Sequence, residues 1–171
     1  MKPEQRIALR LLARHQVSPP VDVTAIAEHH ADIEYDDLPN GADAILLYES
    51  SHRSRPLIVI DRDRPETRTR FTIAHELGHI VIPWHVGEVA YHQENRFRLV
   101  SRLYQAMEAE ANRFAGELLM PTEWVSQQLA SANDLRGMFR KIQKARVSGQ
   151  AVCFAIARCL PPGNVLVQAK A

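Results

Sequence analysis

The sequence predicts an α+β fold in which a small, three-stranded, mainly antiparallel sheet packs with a helix carrying paired histidines and with a bundle of further helices. Three observations predict it. Short segments rich in β-formers fall within residues 33–60, bounded by turn residues. Apolar side chains recur at helical spacing on both sides of that region: Ile7, Leu11 and Leu12 before it, and Met107, Ala111, Phe114, Ala115 and Leu118 after it. Prolines at 65, 83, 121 and 161 start or stop the helical stretches, because proline suits a first helical position and cannot continue an interior.

Taken in order, residues 3–15 alternate apolar and basic positions and read as an amphipathic helix, broken at Ser18-Pro19-Pro20. A short helix is expected over 22–30, with Val23, Ile26 and Ala27 inward. His29 and His30 close it, where cations suit the dipole, so capping or exposure is expected of them rather than metal binding. Strands are expected over 33–37, 44–48 and 56–60, with a turn at Asn40-Gly41 and pairing between the second and third. A helix follows from Pro65 to about Ile82, and Gly78 in its middle implies that something packs closely there, since glycine costs a helix about 1 kcal/mol. Residues 85–101 lack periodicity and read as irregular. Helices are then expected over 103–119, over 123–129 with Thr122 as its cap, from Asn133, and from Val147-Ser148 to Pro161.

At 171 residues the chain is long enough for one domain with a proper core. We expect residues 1–130 to form the catalytic unit and 131–171 to form a helical extension packed on it, without independence. A net charge of +1 gives no bulk attraction to nucleic acid or acidic lipid. Direct nucleic-acid binding is not expected: the segment 151–157 is almost wholly apolar, which suits a core and not a groove-reading helix. Cys153 and Cys159 are too few for a disulfide framework and are expected to be buried free thiols. With a charged start (Met-Lys-Pro-Glu-Gln-Arg) and no long apolar run, the expectation is a cytoplasmic protein with no membrane span.

The chemistry is concentrated in His75-Glu76-Leu77-Gly78-His79. Residues four apart on a helix share a side, so the two imidazoles can close on one metal ion, of which zinc is the usual occupant. Glu76 stands beside that site, placed to act as general base on a water. With 8 histidines in 171 residues, chance would supply roughly 0.03 such matches. A working zinc needs a third protein ligand. His85 lies where metzincins place a third histidine, but Ile82 occupies their turning-glycine position and is poorly suited to positive φ. Glu108 and Glu110 on the later helix fit a gluzincin layout. They lie about 200° apart, so one of the two can face the metal, and periodicity does not choose between them. His85, Tyr91, His92 and Tyr104 are candidate donors to a developing oxyanion, with nothing to separate them.

The run Phe71-Thr72-Ile73-Ala74-His75-Glu76-Leu77-Gly78-His79, followed by Glu110-Ala111-Asn112-x-Phe114-Ala115-x-x-Leu118-Leu119-Met120-Pro121, resembles the ImmA/IrrE family of zinc metallopeptidases. The resemblance implies a zincin-like minimal metallopeptidase fold and zinc as cofactor. It places the third ligand on the glutamate before Ala-Asn, Glu110, beside the metal ligands His75 and His79 and the catalytic Glu76. It also implies a regulatory protease whose protein partner is a helix-turn-helix transcriptional repressor, acting in transcription regulation or stress response. The alternative is a non-catalytic regulatory module that keeps the peptidase fold and uses the metal for structure or sensing.

Overall fold

The computed structural model describes residues 1–48, 54–85, 97–132 and 134–160, and the side chains of all of these except 97–101. In chain order its elements are α1 (Pro3–His15), α2 (Val23–Glu28), β1 (Asp32–Asp36), β2 (Ala44–Leu47), β3 (Leu57–Asp61), α3 (Glu66–Val81), α4 (Phe97–Leu119), α5 (Thr122–Ala130), α6 (Leu135–Gln143) and α7 (Gly149–Cys159). None of the described helices is long and apolar enough to cross a membrane.

Local chemistry accounts for most of these boundaries. Pro3 opens α1, and the Gln5 side chain turns back to accept from the Lys2 N–H at 3.0 Å. Asp22, Asp134 and Ser148 cap α2, α6 and α7 by accepting backbone N–H groups of Ala25, Gly137 and Ala151. Asn133, expected to start α6, lies outside the described residues; Asp134 holds the cap. Thr122 is not the cap of α5 but its first residue. The buried Glu117 on α4 accepts from its N–H and its hydroxyl, both at 2.8 Å, so the end of one helix caps the start of the next. The long helix also begins earlier than its periodicity predicts, at Phe97, inside the stretch expected to be irregular.

The sheet order is β1-β3-β2. β2 runs antiparallel to β3, as expected, with Ala44 opposite Ile60; β1 runs parallel to β3, with Ile33 opposite Ile58, so the sheet is mixed. The central place of β3 follows from its composition. Leu57, Ile58 and Ile60 are buried, an unbroken apolar run of the sort that covers both faces of an inner strand. The Asn40-Gly41 turn forms, with both residues at left-handed φ (59° and 71°), but it leads the chain past β3's position and does not close a hairpin.

The core lies between this sheet, α1, α2, α3 and α4, and continues under α5–α7 through Val125, Ile142, Val152 and Ile156. Two buried charges fix α3 and α4 in it. Glu4 on α1 pairs with Arg113 on α4. Arg70 on α3 donates to the carbonyls of Val21 (2.8 Å), Ala145 (3.3 Å) and Arg146 (3.2 Å). Cys153 and Cys159 are free and half-buried rather than buried.

Candidate metal centre

α3 is amphipathic in an unusual sense, since one side is apolar and the other carries the chemistry. Ile73, Ala74 and Leu77 are fully buried, whereas His75 and Glu76 are half-buried on the other side. α4 approaches closely at Gly78: a Cβ there would lie 3.0 Å from Phe114 Cδ1 and 3.4 Å from Ala111 Cα. That contact sets the phase of α4. Glu108 is three residues before Ala111, about 60° around the helix, whereas Glu110 is about 100° to the other side.

The structure therefore brings Glu108, not the expected Glu110, to the histidine pair. Glu108 Oε2 lies 3.2 Å from His75 Nε2, and its Oε1 lies 3.3 Å from His79 Nε2. The two Nε2 atoms are 3.1 Å apart, and one donor atom from each of the three residues falls within 4.8 Å of the others. Glu110 instead accepts from the Trp84 indole N–H at 2.6 Å and lies 3.1 Å from His85 Nε2. His85, the other candidate ligand, does come back to the site, because the extended Ile82 ends the helix and the turn that follows lets the His85 N–H donate to the Ile82 carbonyl. It is fully buried, and its Nδ1 lies 3.2 Å from His79 Nδ1, on the side of that ring facing away from Glu108.

The electrostatics fit a cation among these groups. His75 Nδ1 lies 3.1 Å from Asn112 Oδ1. An amide oxygen accepts only, so Nδ1 carries the proton and Nε2 is left with a bare lone pair. Burial first, and then the charge of His75, pushes the His79 pKa down to about 4, which keeps a neutral ligating imidazole at ordinary pH. Burial first, and then the charge of Glu108, pushes the Glu76 carboxyl up to about 7, into the range a general acid–base needs. Two imidazole nitrogens and a carboxylate form a donor set that zinc accepts, with a position to spare for water.

Two tyrosines border the site. Tyr48, at the end of β2, has its pKa raised by burial and then by the charge of Glu76; Tyr104, one turn before Glu108, has its pKa raised by burial and then by the charge of Glu108. Tyr91 and His92, also candidate donors, lie outside the described residues. Asn112, Trp84 and Tyr48 were not expected at the site. A usable signal for Glu108 existed: it stands four residues before Asn112, so the two share one face of α4.

The IrrE N-terminal-like domain family of peptidases matches residues 26–157 of the chain. No protein of curated function matches it. Among solved structures, a Mycobacterium tuberculosis transcriptional regulator superposes with a TM-score of 0.66 at 15% identity, covering 94% of this chain and 48% of that one. The chain thus spans about half the length of that regulator, and the likeness is one of fold.

Proposed function

The chain belongs to the ImmA/IrrE family of metallopeptidases, and on that footing we propose that it is a zinc-dependent endopeptidase that cleaves a protein partner. His75, His79 and Glu108 hold the metal, and Glu76 is the general base. The observation that carries the reading is the convergence of two imidazole nitrogens and one carboxylate within 4.8 Å, beside a carboxyl whose pKa is held near 7. A structural site has no use for such a base.

When bound, zinc would polarise the scissile carbonyl and lower the pKa of a water to about 7. Glu76 takes a proton from the attacking water and delivers it to the leaving amine; its raised pKa suits both transfers. Asn112 holds the His75 ring, with its Nε2 toward the site. Tyr104, one turn before Glu108 on α4 and close enough for the Glu108 charge to raise its pKa, is the donor we assign to the developing oxyanion.

The substrate we propose is a helix-turn-helix transcriptional repressor. Its support is family membership together with the fold shared with a transcriptional regulator. The test is co-expression with candidate repressors, wild type beside Glu76→Gln. Loss of the general base should slow cleavage by at least 10²-fold with zinc content unchanged. Equal repressor loss in both would leave a metal-dependent interaction module as the better account.

A further inference from the structure

We propose that Trp84, Glu110 and His85 form a one-way hydrogen-bond relay that sets the tautomer of His79 before any metal arrives. The inference rests on the reading of His79 as a metal ligand. It assigns a positioning role to three residues that do not touch the metal.

The direction of the relay follows from what each atom can do. The Trp84 indole N–H can only donate, and it lies 2.6 Å from Glu110 Oε2. An ionised carboxylate can only accept. His85 Nε2, 3.1 Å from that same oxygen, must therefore be the protonated nitrogen. A neutral imidazole has one N–H, so His85 Nδ1 is left as an acceptor. The atom facing it at 3.2 Å is His79 Nδ1, which must then donate. His79 Nε2 is left bare, and this is the nitrogen directed at His75 and Glu108.

Reversing a step at His85 strands a donor against a donor or an acceptor against an acceptor around a fully buried ring, whereas the two bare Nε2 atoms left facing each other are a mismatch that a metal ion would relieve. Without the relay, His79 could place its proton on Nε2 and donate it across the 3.1 Å gap to His75 Nε2. That tautomer cannot ligate. His75 is set separately by Asn112, so each ligating histidine has its own orienting partner, and both partners of α4 origin, Glu110 and Asn112, flank Ala111. This gives Glu110 a reason to stand beside the Ala-Asn pair without binding metal.

The test reads the tautomer directly and the affinity separately. In the full chain, stripped of metal and then zinc-loaded, long-range ¹H–¹⁵N correlation spectra should show His79 protonated on Nδ1 in both forms. Glu110→Ala and His85→Phe should give a mixed or Nε2-protonated His79 in the stripped form, and zinc affinity by chelator competition should fall about 10–100-fold. Trp84→Phe, at a partly exposed position that tolerates change, should show a smaller loss in the same direction. An Nε2-protonated His79 in the unsubstituted metal-free protein would overturn the relay even if no variant folds. Wild-type affinity in folded Glu110→Ala and His85→Phe would overturn it too. Failure of the underlying reading looks different: zinc affinity would then survive Glu108→Ala and His79→Ala.

Discussion

Gly78→Ala sets two effects of comparable size against each other. Alanine in a helix interior is favoured over glycine by about 1 kcal/mol, so on propensity alone the variant should be more stable. The added methyl, however, would sit 3.0 Å from Phe114 Cδ1 and 3.4 Å from Ala111 Cα, whereas carbon pairs prefer about 3.5–4.0 Å. Phe114, Ala111 and Ala115 are all fully buried, so the ring has nowhere to retreat without moving α4 as a body. Overpacking of this kind costs about 1–3 kcal/mol, and the steric term wins. We expect a net loss of about 1 kcal/mol by urea denaturation. Zinc affinity should fall as well, because the displaced helix carries Glu108 and Asn112. In a Phe114→Leu background the ring edge is gone, and Gly78→Ala should then be neutral or stabilising, a favourable coupling that a double-mutant cycle measures. If Gly78→Ala alone raises stability by about 1 kcal/mol and leaves zinc affinity intact, the close α3–α4 approach is not what positions the ligands.

Further outcomes follow from the same structure. At free zinc 1,000-fold above its Kd, metal contributes about 4.1 kcal/mol, so stripping it should lower Tm by about 8–16 °C in calorimetry, and Glu108→Ala should abolish that difference. Glu117→Ala removes a buried carboxylate that accepts three hydrogen bonds, from Thr122 and Gln5, and should cost about 1–3 kcal/mol by denaturant titration. Burial first, and then the positive charges of His15, His29, Arg14 and Arg55, lower the pKa of His30. A folded-state pKa below the unfolded value means that the unfolded chain binds the proton more readily. Stability should therefore be full above about pH 6.5 and decline as pH falls below it; His30→Gln should flatten that decline in zinc-loaded protein.

Much of the fold was legible because proline placement and apolar spacing are local signals. Pro65 and Pro83 bracket α3, and Ser148 marks the start of α7, through chemistry that acts within a turn of each boundary. The beginning of α4 was hidden because residues 97–102 carry no capping signal and little periodicity. The parallel placement of β1 depends on β3 inserting between β1 and β2, a long-range outcome hinted at only by the unbroken apolar run of β3. At the site, the His-Glu-Leu-Gly-His helix was plain from spacing. The third carboxylate was not, because Glu108 and Glu110 are equivalent until Ala111 is known to rest on Gly78. His85, weighed as a third ligand, comes beside the site, but the turn after Ile82 delivers it behind His79 rather than in front.

The three carbonyls gathered by Arg70 determine where this chain can be cut. One lies at residue 21, ahead of the sheet, and two lie at 145 and 146, between α6 and α7. A polypeptide ending near residue 130 would keep both histidines, Glu76 and Glu108, yet it would leave a buried guanidinium with one acceptor of its three, under the helix that carries the histidines. The smallest portion able to hold the site must therefore start before Val21 and run beyond Arg146. By the same reasoning, α6 and α7 belong with the helix that carries the histidines: a cut that separated them from it would forfeit the site along with the appendage.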